Sequence, residues 1–242
     1  MARKGKTIDH DIQSRYLNEK ITLRIYEPES FSELYKYHIC IMQDGNDYFQ
    51  LGRVATFSDR LHEKVEIENT VFVGIHYQNR QDRWNKYHPN GKQNEAYMKF
   101  LVQEVVPLLD TLLPSYHMGQ SRALMGDSLA GTLALMTAIQ YPHTFGKVIM
   151  QSPYVNETVL NAVKNATNLQ SIDIYHTIGT AETAVKTLEE DQADFLTPNR
   201  KLQSLLAEKE TTYTYKEFED GLHTWKYWQN DMITALTTMF SN

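Results

Sequence analysis

The chain has 242 residues, 41% of them hydrophobic and 22% charged, with a formal net charge of -6. That length accommodates one layered domain with a core of ordinary size. The acidic balance argues against a nucleic-acid partner, which needs a basic face to displace counterions. Cys40 is the single cysteine, so no intrachain disulfide can form, and its apolar setting Ile39-Cys40-Ile41-Met42 predicts a buried, inert thiol. The basic start, Arg3-Lys4-Gly5-Lys6, has no apolar run behind it, so no signal peptide is read. No stretch reaches the roughly 20 apolar residues that span a bilayer. A cytoplasmic protein is expected, and a homo-oligomer is compatible with the sequence.

Residues 1–14 read as a polar lead-in. Ile21-Thr22-Leu23-Arg24-Ile25-Tyr26 alternates apolar and polar residues with the period of a half-buried strand, and Pro28 closes it. His38 to Met42 is a short continuous apolar run, as in a strand buried on both faces of a parallel sheet. Gln43-Asp44-Gly45-Asn46-Asp47 then supplies turn formers. A helix is predicted over 50–62 and the next buried strand over Thr70-Ile75. His76 to Gln93 reads as a long polar and aromatic connection, and connections of that length are frequently functional. Asn94 to Leu113 has the clearest helical period, with Tyr97, Leu101, Val105, Leu108 and Leu112 on one face and Pro107 expected to bend it.

Arg122-Ala123-Leu124-Met125-Gly126-Asp127-Ser128-Leu129-Ala130-Gly131 is the stretch with the sharpest pattern. A buried strand runs into Gly-Asp-Ser, and small residues open the following helix. A nucleophile elbow needs small neighbours because its serine sits in a strained conformation. Leu129 to Tyr141 is a nearly all-apolar helix and must be buried. Beyond it come a strand at 148–150, a helix around 156–166, a strand over 172–178, a charged helix over 197–208, a strand over 211–218 and a last helix from Trp225 to Phe240. Strands alternate with helices throughout and no linker or repeat interrupts them, so the fold class is α/β with a mainly parallel sheet.

In such sheets functional groups collect at the carboxyl ends of the strands. Ser128 follows the elbow strand, Glu182 the strand over 172–178 and His223 the strand over 211–218. Nucleophile, acid, histidine is the chain order of the α/β-hydrolase triad. A serine hydroxyl needs a base within reach; His223 would serve, and Glu182 would set its tautomer. The Leu129 N–H and the Asn46 N–H would receive the oxyanion. Asp127 is expected to shape the turn, and Asp191, Asp194, Glu189 and Glu190 are alternatives for the acid. Tyr48, Phe49, Trp84, Tyr87, Tyr154, Trp225 and Trp228 are candidates to line a pocket, and Arg80, Arg83 and Lys86 to meet an anionic substrate. No metal-ligand spacing is found among the nine histidines.

The stretch from Arg122 to Pro153, with Tyr141-Pro142, Phe145-Gly146-Lys147-Val148 and Gln151-Ser152-Pro153, resembles the putative-esterase family of esterase D, feruloyl esterases and enterochelin esterase-like hydrolases. Asp44-Gly45-Asn46-Asp47-Tyr48-Phe49 resembles its oxyanion turn, and Arg83 with Tyr87 and Pro89 a loop lining its site. Glu217 to Trp225 with Trp228 resembles its histidine turn. The resemblance spans nearly the whole chain. It implies one α/β-hydrolase domain over 1–242 with no separate cap, and a cofactor-free serine esterase with Ser128 as nucleophile, His223 as base and Glu182 as acid. Tyr48, Arg83, Tyr87 and Trp225 are then the substrate-binding set. Ala130 stands where the family usually has glycine, and Gly221-Leu222-His223 replaces Gly-Gly-His. Short-acyl, aryl or siderophore-type esters are the expected substrates. An acyltransferase using the same acyl-enzyme, or a silent hydrolase-fold binding protein, are the alternatives.

Overall fold

The computed structural model describes residues 4–241. Among these an eight-stranded sheet runs in the order β1-β2-β4-β3-β5-β6-β7-β8. The strands are β1 (Lys6–Ser14), β2 (Glu19–Glu27), β3 (His38–Gln43), β4 (Thr70–Ile75), β5 (Arg122–Asp127), β6 (Lys147–Gln151), β7 (Asp173–Gly179) and β8 (Tyr213–Phe218). β1 and β2 form an antiparallel hairpin whose inner strand pairs antiparallel with β4, and every pairing from β4 to β8 is parallel. The expected polar lead-in is therefore largely an edge strand. Its backbone pairs with β2 over all nine residues from Lys6 to Ser14. Residues 1–3 lie outside the described residues.

The helices are α1 (Gly45–Gln50), α2 (Val54–Glu63), α3 (Arg80–Tyr87), α4 (Asn94–Phe100), α5 (Val106–Leu112), α6 (Leu129–Gln140), α7 (Glu157–Asn165), α8 (Leu196–Ala207) and α9 (Trp225–Phe240). Alternate strand residues feed two core layers. Ile39, Ile41, Leu124, Val148 and Ile174 pack with the α4 to α8 side. Cys40, Met42, Ala123, Met125, Ile149 and Tyr175 pack with α2 and α9. Burial pushes the Cys40 thiol well above its ordinary range, consistent with an inert core residue. Among the described residues no helix is long and apolar enough to cross a membrane.

The single helix expected over 94–113 is interrupted. A π-helical turn over Leu101–Val105 joins α4 to α5, with Val106 N–H bonded to Leu101 O just before Pro107. Proline has no N–H to give to the carbonyl four residues back, and a wider turn accommodates that loss. The extra residue shifts the helical phase. Tyr97, Leu101 and Val105 face inward as expected, but beyond the turn Leu109 and Leu113 are buried, while Leu112 is 37% exposed. The connection from His76 to Gln93 also differs, since it contains α3. The Asn79 side chain caps that helix, accepting from Gln81 N–H and Asp82 N–H.

Candidate active site

β5 ends at Asp127, and Ser128 turns the chain into α6 with φ 52° and ψ −126°. A non-glycine residue at such a φ persists only where its surroundings over-determine it. Ser128 N–H donates to Gln151 O at 2.9 Å, and Thr132 N–H and Tyr154 N–H donate to Ser128 O. The turn is tight enough that a Cβ on Gly126 would stand 2.3 Å from the carbonyl carbon of Ala130. Ala130 itself is fully buried, so the elbow accepts a methyl group at that position. Leu129 opens α6, where the first N–H groups of a helix have no intrahelical partner.

The parallel register of β7 on β8 sets Gly179 beside Phe218, which brings the two following turns together. Thr180 N–H bonds Phe218 O and Ala181 N–H bonds Gly221 O. Gly179 and Gly221 are in such close contact that a Cβ on Gly179 would lie 2.2 Å from Gly221 O. Across this seam His223 Nδ1–H donates to Glu182 Oε2 at 2.5 Å. Glu182 is 1% exposed, and its Oε1 accepts from Ser152 Oγ–H at 2.6 Å and from Gly179 N–H at 2.8 Å. Trp228 Nε1–H in turn donates to Ser152 Oγ. Phe195 and Trp228 hold the imidazole edge-on, with centroids 4.7 and 4.9 Å away. With its proton on Nδ1, the imidazole keeps a basic lone pair on Nε2.

Ser128 and His223 line one cavity of about 470 Å³, together with Leu129, Trp84, Tyr154, Trp225 and Trp228. Glu182 sits behind His223, out of the cavity wall. Asp191 and Asp194 lie elsewhere, and Glu189 is on the cavity rim, 3.6 Å from His88 Nε2. A hairpin closed by the Val185–Ala193 pair contributes Val185, Lys186, Thr187, Leu188 and Glu189 to that rim. The sequence gives no warning of this flap, because the signal is two short backbone bonds between unremarkable residues. Ser152 is the other contributor missed, since a serine in Gln-Ser-Pro reads as a turn former.

Several expected lining residues are placed differently. Tyr48 is fully buried, its hydroxyl bonded to Gln151 Oε1, and Phe49 is buried against Tyr26. Tyr87 is also buried, its ring tilted 58° against that of Tyr97 and beneath Arg83. None of the three lines the cavity. Arg83 does face the cavity, but its Nε and Nη2 are bonded to Asp44 Oδ2 at 2.8 and 2.6 Å. Lys86 is buried in ion pairs with Glu19 and Asp82. Asn46 follows the left-handed Asp44 (φ 58°) at the start of α1, where its N–H has no intrahelical partner. Its side chain accepts from Arg24.

Residues 14–239 match the sequence family described as Putative esterase. The chain is 45% identical over 240 residues to the Uncharacterized protein YjcH of Bacillus subtilis (strain 168), covering 99% of this chain and 100% of that one. A solved ferulic acid esterase superposes with a TM-score of 0.81 at 19% identity, over 98% of both chains. The enterobactin esterase of Shigella flexneri superposes with a TM-score of 0.79 at 17% identity, over 99% of this chain and 60% of that one. Likeness at these identities is one of fold, and the fold is that of the α/β-hydrolases.

Proposed function

The chain belongs to the Putative esterase family, and from that membership we propose that it is a serine carboxylic-ester hydrolase working through an acyl-enzyme. Ser128 Oγ attacks the ester carbonyl while His223 Nε2 takes its proton. The oxyanion is received by Leu129 N–H and Asn46 N–H, preorganised donors that need no reorientation as charge develops. Collapse expels the alcohol, which takes the proton from His223. Water, deprotonated by the same nitrogen, then attacks the acyl-enzyme and releases the acid. Glu182 holds the imidazole in the tautomer that leaves Nε2 basic, and stabilises the imidazolium.

The observation that carries this reading is the Glu182–His223 bond, 2.5 Å long, behind an imidazole that lines the same cavity as Ser128. The aromatic walls formed by Trp84, Tyr154, Trp225 and Trp228 support esters with an aryl or short acyl group. Ferulate and catecholate siderophore esters are members of that class. The test is labelling with a fluorophosphonate, read by peptide mass spectrometry, alongside turnover of p-nitrophenyl acetate. Adduct on Ser128, and loss of both label and turnover in Ser128→Ala, are expected. Turnover in a folded Ser128→Ala at the wild-type rate would end the assignment.

A further inference from the structure

Two carboxyl oxygens at the floor of the cavity are buried without a hydrogen-bond partner, Oδ1 of Asp44 and Oδ1 of Asp127. Orphaned buried polar atoms are uncommon, and each requires an account. The cation facing both residues is Arg83. Its Nε and Nη2 donate to Asp44 Oδ2, and Nη2 also donates to the backbone carbonyl of Asp127 at 3.2 Å. One guanidinium balances one carboxylate. A second carboxylate charge there would be buried without a counter-ion, with the Asp47 carboxyl adding to the repulsion. Burial first, and the charge of Asp44 second, push the Asp127 carboxyl well above the usual carboxylate range. The two unpartnered oxygens beside one guanidinium leave a place for one proton, and burial favours the neutral form of Asp127.

The place of this cluster in the sheet gives it a task. Backbone pairing of β3 with β5 runs from Ile39–Arg122 to Met42–Met125 and stops there. Among the described residues no ladder beyond that point joins the turn carrying Asn46 to the turn carrying Leu129. The first turn is packed against β4, since a Cβ on Gly45 would lie 2.3 Å from Gly74 Cα. Toward β5 it is tied through side chains. We propose that Arg83, Asp44 and Asp127 form one unit that clamps these two turns and sets the spacing of the two oxyanion donors, the unpartnered Oδ1 atoms of the two carboxyls holding one proton between them. This rests on the esterase reading above. All three are positioning residues, because none touches the reacting carbonyl.

The proton distinguishes this unit from an ordinary ion-pair network. In this unit an asparagine at 127 also offers a donor toward Asp44 Oδ1, so Asp127→Asn replaces the carboxylic acid, whereas Asp127→Ala removes the carboxyl contact and keeps only the Arg83 bond to the backbone carbonyl. On p-nitrophenyl acetate, Asp127→Ala and Arg83→Lys are expected to lower kcat 10- to 100-fold with KM changed less than threefold. Asp127→Asn is expected to retain kcat within about threefold of wild type. An Asp127→Asn enzyme as impaired as Asp127→Ala overturns the proposal. Carbon-13 NMR of the aspartate-labelled wild-type protein gives a second reading that depends on no variant's folding. One carboxyl resonance in the protonated range at pH 7, absent from Asp127→Asn, is expected, and a fully ionised set overturns it. Failure of wild-type labelling at Ser128 would instead strike the esterase reading, so the two failures are separable.

Discussion

His223 Nδ1 lies 2.5 Å from Glu182 Oε2, and the other oxygen of that carboxylate already accepts from Ser152 Oγ–H and Gly179 N–H. The carboxylate cannot rotate without losing both. In Glu182→Gln, Gly179 N–H still requires an oxygen at the Oε1 position, so the new NH₂ group must face His223. That forces the imidazole proton onto Nε2, the nitrogen that should act as base. The variant should fold normally and lose about 10³- to 10⁴-fold in kcat, with KM changed little. Steady-state kinetics checks the rate, and imidazole nitrogen NMR checks the tautomer.

Gly126 has no room for a side chain, its added Cβ falling 2.3 Å from the carbonyl carbon and 2.4 Å from the oxygen of Ala130. Gly126→Ala should therefore cost about 1–3 kcal/mol of stability by overpacking and displace Ser128 enough to suppress turnover. Ala130→Gly relieves no clash and should keep activity, losing roughly 0.5–1 kcal/mol from helix propensity. Urea unfolding and fluorophosphonate labelling of the two variants measure both effects.

Trp84 stacks on His88 with centroids 4.7 Å apart and planes within 12°, one helical turn away, and both rings line the cavity. Trp84→Ala should raise KM for an aryl ester about 5- to 20-fold, the equivalent of ~1–2 kcal/mol. KM for acetate esters of small alcohols should move much less. A panel of matched aryl and alkyl esters decides it.

His176 is buried, its Nδ1 beside Tyr213 Oη at 2.8 Å and its Nε2 beside Asn199 Oδ1 at 2.7 Å. Burial lowers its pKa from 6.5 to about 4. The unfolded chain therefore binds a proton between these values that the folded protein does not. The contribution of this group is fully present above pH 6.5 and is lost as pH falls toward 4, about 3 kcal/mol in all. His176→Gln should be less stable at pH 7, yet show a shallower loss between pH 6.5 and 4.5 than wild type. Urea denaturation at four pH values compares the slopes.

The parallel core of the sheet, and the placing of Ser128, Glu182 and His223 beyond the ends of β5, β7 and β8, could be read from residue order, because each rests on local signals. Apolar runs mark β3, β4 and β5, and Gly126 with Ser128 marks a tight turn. Other features depend on partners distant in the chain. β1 alternates only weakly among charged residues, and its strand conformation comes from pairing with β2. α3, Arg80–Tyr87, has no apolar stripe, and it forms through its Asn79 cap and the pairing of Lys86 with Glu19 and Asp82. An aromatic residue near a strand end looks alike in sequence whether it faces a ligand or a core, so Tyr48 and Tyr87 read as pocket wall although both are buried. Arg83 likewise reads as a partner for a substrate anion, since its actual partner Asp44 lies 39 positions away.

The flap that follows Glu182 leaves and rejoins the body of the protein at nearly one point. Phe195 N–H and Leu196 N–H both bond to Glu182 O, and the flap is crimped by the two bonds between Val185 and Ala193. Chain beyond that crimp can lengthen, shorten or change composition while the acid behind the imidazole stays put. Segments 186–192 from relatives should thus be exchangeable as cassettes, re-tooling which esters are admitted while the hydrolytic machinery is inherited intact.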